Sequence, residues 1–274
     1  YDGATTEAMG GKFQDGFLTS LKYNTLMETA QIAGKMIMSK FTQQYMAGSR
    51  DIVVEEDELL WKSGYDLQAQ YDHGKLNPSE LNLPSGWKFV KYFRNYEESN
   101  LDYAMFENQV KGIRLMTMVG TQTGGDWIDN FLQGIGFKSP QYMAAIKYSL
   151  LEQSEAVSAG FQFVLNGHSL GGGVAAAAAA VSGAPAAIFN AAGLHPMTLI
   201  HAGYPGSVSR IGLGVVHYGV GGEVLSGLEF TIFSAFVPKP AATHFYSYWP
   251  QPQSFSELSP IEWHRPLMTM RSIN

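Results

Sequence analysis

Cysteine is absent from the 274 residues. This excludes disulfides, thiolate metal sites and a cysteine nucleophile, and leaves the compartment open. Charge is scarce as well: Asp, Glu, Lys and Arg make up 15% of the chain against 45% for hydrophobic residues, a balance suited to a large buried core. What charge there is leans acidic, with a net −6, so nothing draws the chain to a polyphosphate backbone and no nucleic-acid partner is expected. Lys88, Lys91 and Arg94 form the one local basic cluster. Long apolar runs are missing too. The longest, 174–181, is mostly alanine and too short to span a bilayer, so the chain is expected to be soluble and not transmembrane. The first residue is Tyr1, and no positively charged start followed by an apolar run is present. The expectation is a piece of a longer, secreted or exported protein whose signal lies outside this chain. Finally, no aspartate follows Asp129, an absence that decides a later step.

The pattern along the chain divides near residue 100. Residues 17–46 carry apolar side chains at helical spacing, among them Leu18, Leu21, Ile32, Met36 and Phe41. Residues 49–99 are irregular, with an acidic run at 55–58 and turn signals at Asn77-Pro78 and Pro84-Ser85-Gly86, and are expected to be helical or loop-rich rather than sheet. Strand-like runs at 101–107 and 113–119, separated by 108–112, predict a hairpin. A helix is expected to start at 126–132 and another to span 140–157, with Pro140 in its first turn. A short buried strand at 161–165, a helix at 170–182, and strands at 186–190 and 211–216 follow. Strands alternating with helices imply a mostly parallel sheet covered on both faces. The layout of the aromatic, proline-rich stretch 238–266 is not predicted. The division reads as an N-terminal cap region, 1–100, packed on a core, 101–274, the two forming one integrated domain.

The strongest chemical signal is Gly167-His168-Ser169-Leu170-Gly171, followed by Gly172 and Gly173. A G-x-S-x-G match alone is weak. Here an apolar strand ends just before it and a small-residue helix begins just after it, the strand–turn–helix setting of a nucleophile elbow. Such a turn puts the serine in strained backbone angles, so its neighbours must be small, and Gly167 and Gly171 supply that room. The α/β-hydrolase fold is the class this predicts, and Ser169 is its nucleophile. The competing reading is a glycine-rich turn in an unrelated α/β protein.

A serine hydroxyl needs a base to take its proton and an acid to orient that base, and in this fold they follow in the order Ser, Asp or Glu, His. With no late aspartate the acid must be glutamate. Glu223, Glu229, Glu257 and Glu262 are the carboxylates after Ser169. Glu223 follows the strand-like run 215–220 and a Gly221-Gly222 turn, the position expected of the acid; Glu229 is the second choice, and the last two lie too near the end. His244 and His264 follow Glu223, and His264 is favoured as base, with His244 as the alternative. His168 neighbours the serine but is expected to point elsewhere, and His195, His201 and His217 are expected to be structural. The oxyanion formed on attack needs two N–H donors. Leu170 is expected to give one, and Thr121, in the turn 120–125 after the strand at 113–119, the other.

Two blocks then resemble the class 3, fungal-type lipases and their bacterial relatives. Val119-Gly120-Thr121-Gln122-Thr123, with Asp126-Trp127-Ile128, is similar to the family's Arg-Gly-Thr/Ser block. Residues 163–172 are similar to its nucleophile block. The resemblance implies Thr121 and Leu170 as oxyanion donors, Ser169 as nucleophile, Glu223 as acid and His264 as late histidine. Val119 stands where the family has arginine, and glutamate replaces the commoner aspartate. Residues 189–196 replace the family's Gly-x-Pro-Arg-Val-Gly stretch and are similar to lipase-like domains of bacterial secreted toxins and effectors. The implied activity is hydrolysis of a lipid ester through an acyl-enzyme at a membrane or lipid surface, without cofactor or metal; phospholipid and glyceride are not separated. An esterase for small soluble esters and an inactive binding protein on the same fold are the alternatives.

Overall fold

The computed structural model describes residues 50–95, 99–120, 139–220 and 244–248. The expected helices at 17–46 and 126–132 lie outside these residues, as does most of 238–266. In chain order the described elements are α1 (Arg50–Asp72), β1 (Trp87–Asn95), β2 (Leu101–Asn108), β3 (Ile113–Val119), α2 (Pro140–Ser158), β4 (Gln162–His168), α3 (Leu170–Ser182), β5 (Ala186–Phe189), α4 (Pro196–His201), β6 (Val215–Val220) and β7 (His244–Tyr248). Two short 3-10 turns, Pro78–Glu80 and Pro205–Arg210, join them. No helix among the described residues is long and apolar enough to cross a membrane.

The seven strands form one sheet in sequential order, β1 to β7. The first three run antiparallel and β3 to β7 run parallel. The reason is local: β2 and β3 are close enough in sequence for a hairpin, whose turn contains Gly112 at φ 64, whereas parallel neighbours need a long crossover. This is the α/β-hydrolase arrangement, a mostly parallel sheet flanked by helices.

Alternation along the central strands buries both faces. Tyr103, Met105, Met116, Met118, Phe163 and Leu165 pack with α2 and α3. Ala104, Phe106, Leu115 and Val164 point the other way and pack with Leu60 and Leu67 of α1. The alanines of α3, residues 175–180, are all buried, and their small size lets the helix lie close on β4 and β5. It ends where Gly183, at φ 74, returns its N–H to the carbonyl of Ala179 at 2.8 Å, a left-handed glycine cap.

The hairpin, the helix at 170–182 and the strand at 186–190 form close to where the sequence predicts them. Two expectations are corrected. Residues 49–99 are not sheet-free: Trp87–Asn95 make the edge strand β1, paired antiparallel with β2. A register shift between Phe89 and Lys91 breaks its period of two, and two of its three basic residues belong to ion pairs, Lys91 with Glu152 at 2.8 Å and Arg94 with Asp102 at 2.7 Å. The alternating signal is therefore blurred by charges that are paired within the fold. The strand expected at 211–216 starts at Val215 instead. Gly212 and Gly214 sit at φ 83 and φ 73, a left-handed backbone that a strand cannot accommodate. The short helix α4 is not predicted by the sequence pattern.

Candidate active site

Ser169 occupies the tight turn between the C-terminal end of β4 and the start of α3. Its backbone is at φ 57, ψ −128, a conformation outside the ordinary regions for an L residue that costs about 1–3 kcal/mol unless its surroundings hold it. They do. The Ser169 N–H donates to the carbonyl of Phe189 on β5 at 3.0 Å, and the Ser169 carbonyl accepts from Gly172, Gly173 and Ala192 at 3.0, 3.2 and 2.9 Å.

Glycine is required around it by contact. A Cβ on Gly167 would lie 2.4 Å from the carbonyl oxygen of Gly171, and one on Gly171 would lie 2.4 Å from that of Met118. One on Gly172 would meet the Ala191 side chain at 2.6 Å. The elbow is thus wedged between the end of β3 and the residues just after β5, and Gly167 and Gly171 give the room that the glycine pattern predicts. Ser169 itself is partly exposed while its neighbours in β4 are buried. Leu170 opens α3, so its N–H has no acceptor within the helix and belongs to the positive end of the helix dipole. That end directly follows Ser169.

His168 does not face the serine's chemistry. Its ring is buried and stacks on Trp61 of α1, with centroids 4.4 Å apart and planes 12° from parallel, while Tyr65 stands edge-on at 6.0 Å. His195 caps α4, its Nδ1 accepting the Met197 N–H at 3.1 Å. His217 is buried, and its Nε2 accepts the Ala191 N–H at 3.2 Å. This fixes the strand end beside Ala192, which in turn bonds Ser169. His217 therefore acts on the elbow from one residue away, a role its sequence position does not announce. The segment 189–196, unusual in sequence, is the part that closes on the elbow, with Asn190 at φ 38 and its N–H on the Tyr218 carbonyl at 2.9 Å.

Of the other sequence-predicted site residues, Thr121, Glu223, Glu229, His264, Glu257 and Glu262 lie outside the described residues. Gly120, which precedes Thr121, is described: its N–H donates to the Tyr65 hydroxyl at 3.2 Å. The alternative base His244 is the first residue of β7, in register with Val216, which is level with Ala187 and Asn166. That places its backbone three strands and three residues from Ser169, about 14 Å across the sheet and about 10 Å toward the N-terminal ends of the parallel strands.

Residues 66–242 match the family described as Tle-like phospholipase domain. The chain belongs to this family. The phospholipase-like match begins within α1 and runs through the elbow to just short of β7. An extracellular phospholipase A1 of Serratia liquefaciens is 38% identical over 147 residues, which cover 53% of this chain and 44% of that protein. The chain therefore spans less than half the length of this curated relative. Among solved structures, a mutant form of MDLA from Penicillium cyclopium superposes with a TM-score of 0.51 at 14% identity, covering 75% of this chain and 82% of its own. A lipase from Rhizopus microsporus var. chinensis gives 0.50 at 11% identity, covering 75% and 77%. At such identities the likeness is one of fold, and it is the lipase α/β-hydrolase fold. By family this is a phospholipase-like domain, and by fold an α/β-hydrolase.

Proposed function

We propose that the chain is a serine esterase that cleaves a fatty-acyl ester of a phospholipid through an acyl-enzyme. The observation that carries this reading is Ser169, partly exposed, held at φ 57, ψ −128 between β4 and α3. In this reading Ser169 attacks the acyl carbonyl as His264 takes its proton, and Glu223 holds the imidazole in the right orientation. The Leu170 and Thr121 N–H groups stabilise the oxyanion, the alcohol leaves with the proton from His264, and water then releases the fatty acid. His264 is preferred to His244 because the backbone of His244 starts β7 on a level well below the elbow. Phospholipid is preferred to glyceride because the matched family is described as phospholipase and the Serratia relative is named phospholipase A1. That relative is named extracellular and comes from Serratia liquefaciens, which supports a secreted protein of bacterial origin; its site of action in this reading is a lipid surface. Residues 1–100 and 101–274 form one integrated unit in this reading, since α1 and β1 already contribute to the layers of the core.

The test is hydrolysis of phosphatidylcholine vesicles and of a triglyceride emulsion by the full chain and by Ser169→Ala. Fatty acid released from the phospholipid, and lost in the variant, is the expected result. Cleavage confined to triglyceride or to a short soluble ester would replace the phospholipid assignment. Activity persisting in Ser169→Ala would remove the serine mechanism.

A further inference from the structure

Beyond the elbow, β3 and β4 part company. Their parallel ladder ends at the pair Met118↔Gly167, yet the residues that follow each strand, Gly120 and Ser169, must stay in fixed relation if both ends serve one reaction. Tyr65 of α1 spans this gap. Its hydroxyl accepts the Gly120 N–H at 3.2 Å and donates to the His168 carbonyl at 3.3 Å. One side chain thus joins the last residue before Thr121 to the residue before the nucleophile, from a helix 55 and 103 residues away in sequence. The space is closed around it: a Cβ on Gly120 would lie 2.7 Å from the Tyr65 hydroxyl, 3.1 Å from the Gly171 nitrogen and 3.2 Å from the His168 carbonyl. The ring is braced by Trp61, edge-on at 5.8 Å.

We propose that Tyr65 is a positioning residue for ester cleavage, its hydroxyl replacing the missing ladder bonds and setting the distance between Gly120, just after β3, and the nucleophile elbow. This rests on the reading of Ser169 as nucleophile and of the loop after Gly120 as a source of an oxyanion donor. A hydroxyl suits the task because it gives one donor and one acceptor at a single point, the two functions the parted strands lack. Burial holds it protonated well above the ordinary tyrosine range, so the donor persists at every pH at which an ester hydrolase works. The role makes a specific demand on kinetics. An oxyanion hole acts on the transition state and not on the bound ester, so its misplacement lowers kcat and leaves KM nearly unchanged.

The experiment compares the full chain with Tyr65→Phe, which keeps the ring and removes the hydroxyl. Hydrolysis of phosphatidylcholine in mixed micelles gives kcat and KM, and the rate of Ser169 modification by a fluorophosphonate reports formation of a tetrahedral adduct. We expect kcat to fall about tenfold, the equivalent of one hydrogen bond, with KM within about twofold and a parallel fall in phosphonylation rate. A Leu67→Ala variant, which loosens the same helix where it packs on Ala104, Phe106 and Leu115 but keeps the hydroxyl, is expected to melt earlier without that loss per folded molecule. Unchanged kcat and phosphonylation in folded Tyr65→Phe would overturn the role, as would an equal loss in Leu67→Ala. Should Tyr65→Phe not fold, difluorotyrosine at position 65 keeps both groups and weakens the oxygen as an acceptor, with a smaller loss in the same direction expected and no change overturning the proposal. Ser169→Ala separates the two readings. If it retains activity, the nucleophile assignment itself fails; if it is dead while Tyr65→Phe is fully active, only the positioning role falls.

Discussion

At the level of single residues, the elbow is decided by what is missing from side chains. Gly171 carries a demand as tight as that on Gly167, because its Cα faces the carbonyl of Met118 on β3, where an added methyl would sit at 2.4 Å. The obstacle is backbone on a central strand, so no side chain can swing away to relieve it. Gly171→Ala is expected to destabilise the fold by on the order of 2 kcal/mol, read as a lower urea midpoint. It is also expected to slow fluorophosphonate labelling of Ser169 more than the fraction unfolded explains. Gly112, by contrast, has nothing near its missing Cβ and matters for its φ of 64 alone. The strain at Ser169 and the bonds that hold it belong together: four backbone hydrogen bonds to β5, to the following loop and to α3 keep a conformation that the residue alone would leave.

Among elements, α1 has the most consequence for the site. Its length and its placement on the sheet make it part of the core, with Leu60, Trp61 and Leu67 fully buried. Trp61 lies against His168 on β4 and Phe189 on β5, the two strand ends that frame the serine. At the helix's far end, the buried Asp102 carboxylate accepts from Gln68 of α1 and from Tyr92 and Arg94 of β1, and Arg94 also reaches Asp72. One carboxylate thereby ties α1 and the edge strand to β2. Trp61→Ala would leave a cavity beneath the elbow, and a loss of about 3–5 kcal/mol is expected in chemical denaturation. Such a variant, measured well below its melting point, should also lose esterase activity, because the cavity opens directly under His168.

For the molecule as a whole, charge is sparse and tyrosine carries much of the buried polarity. Tyr65, Tyr92, Tyr103 and Tyr142 all have hydroxyls pushed above the ordinary tyrosine range, with burial the main cause in each. For Tyr92 the Asp102 carboxylate adds to the shift, and for Tyr103 the bond to Glu152 at 2.7 Å does. The native state therefore keeps these protons at a pH where the unfolded chain, whose tyrosines ionise near about 10, has released them. Their contribution to stability is fully present below that value and is lost as pH rises above it. Each proton so retained steepens the decline by about 1.4 kcal/mol per pH unit. Ultraviolet titration is expected to show tyrosines that stay protonated until the chain unfolds in a cooperative alkaline transition. Tyrosine absorbance changes that complete below that transition would contradict this.

Local sequence is enough for the elbow and the elements that flank it. Strand, G-x-S-x-G turn and alanine helix are contiguous, so short-range rules act on all of them together, and the turn at Ser169 is legible for that reason. The hairpin of β2 and β3 is legible in the same way, from two short apolar runs and a turn. Relations between distant segments are a different matter, because packing alone settles them. Lys91 and Arg94 read as a basic surface until the fold supplies Glu152 and Asp102 as partners, and so the edge strand β1 is hidden in the sequence. Gly212 and Gly214 carry no mark that sets their φ positive, and so the pattern places β6 four residues early. Tyr65 carries no mark in the sequence and His217 reads only as structural, because nothing local shows that one will meet Gly120 and the other Ala191. Periodicity and turn chemistry report what a residue does with its neighbours in the chain; a hydrogen bond across 55 residues depends on where packing brings two surfaces together.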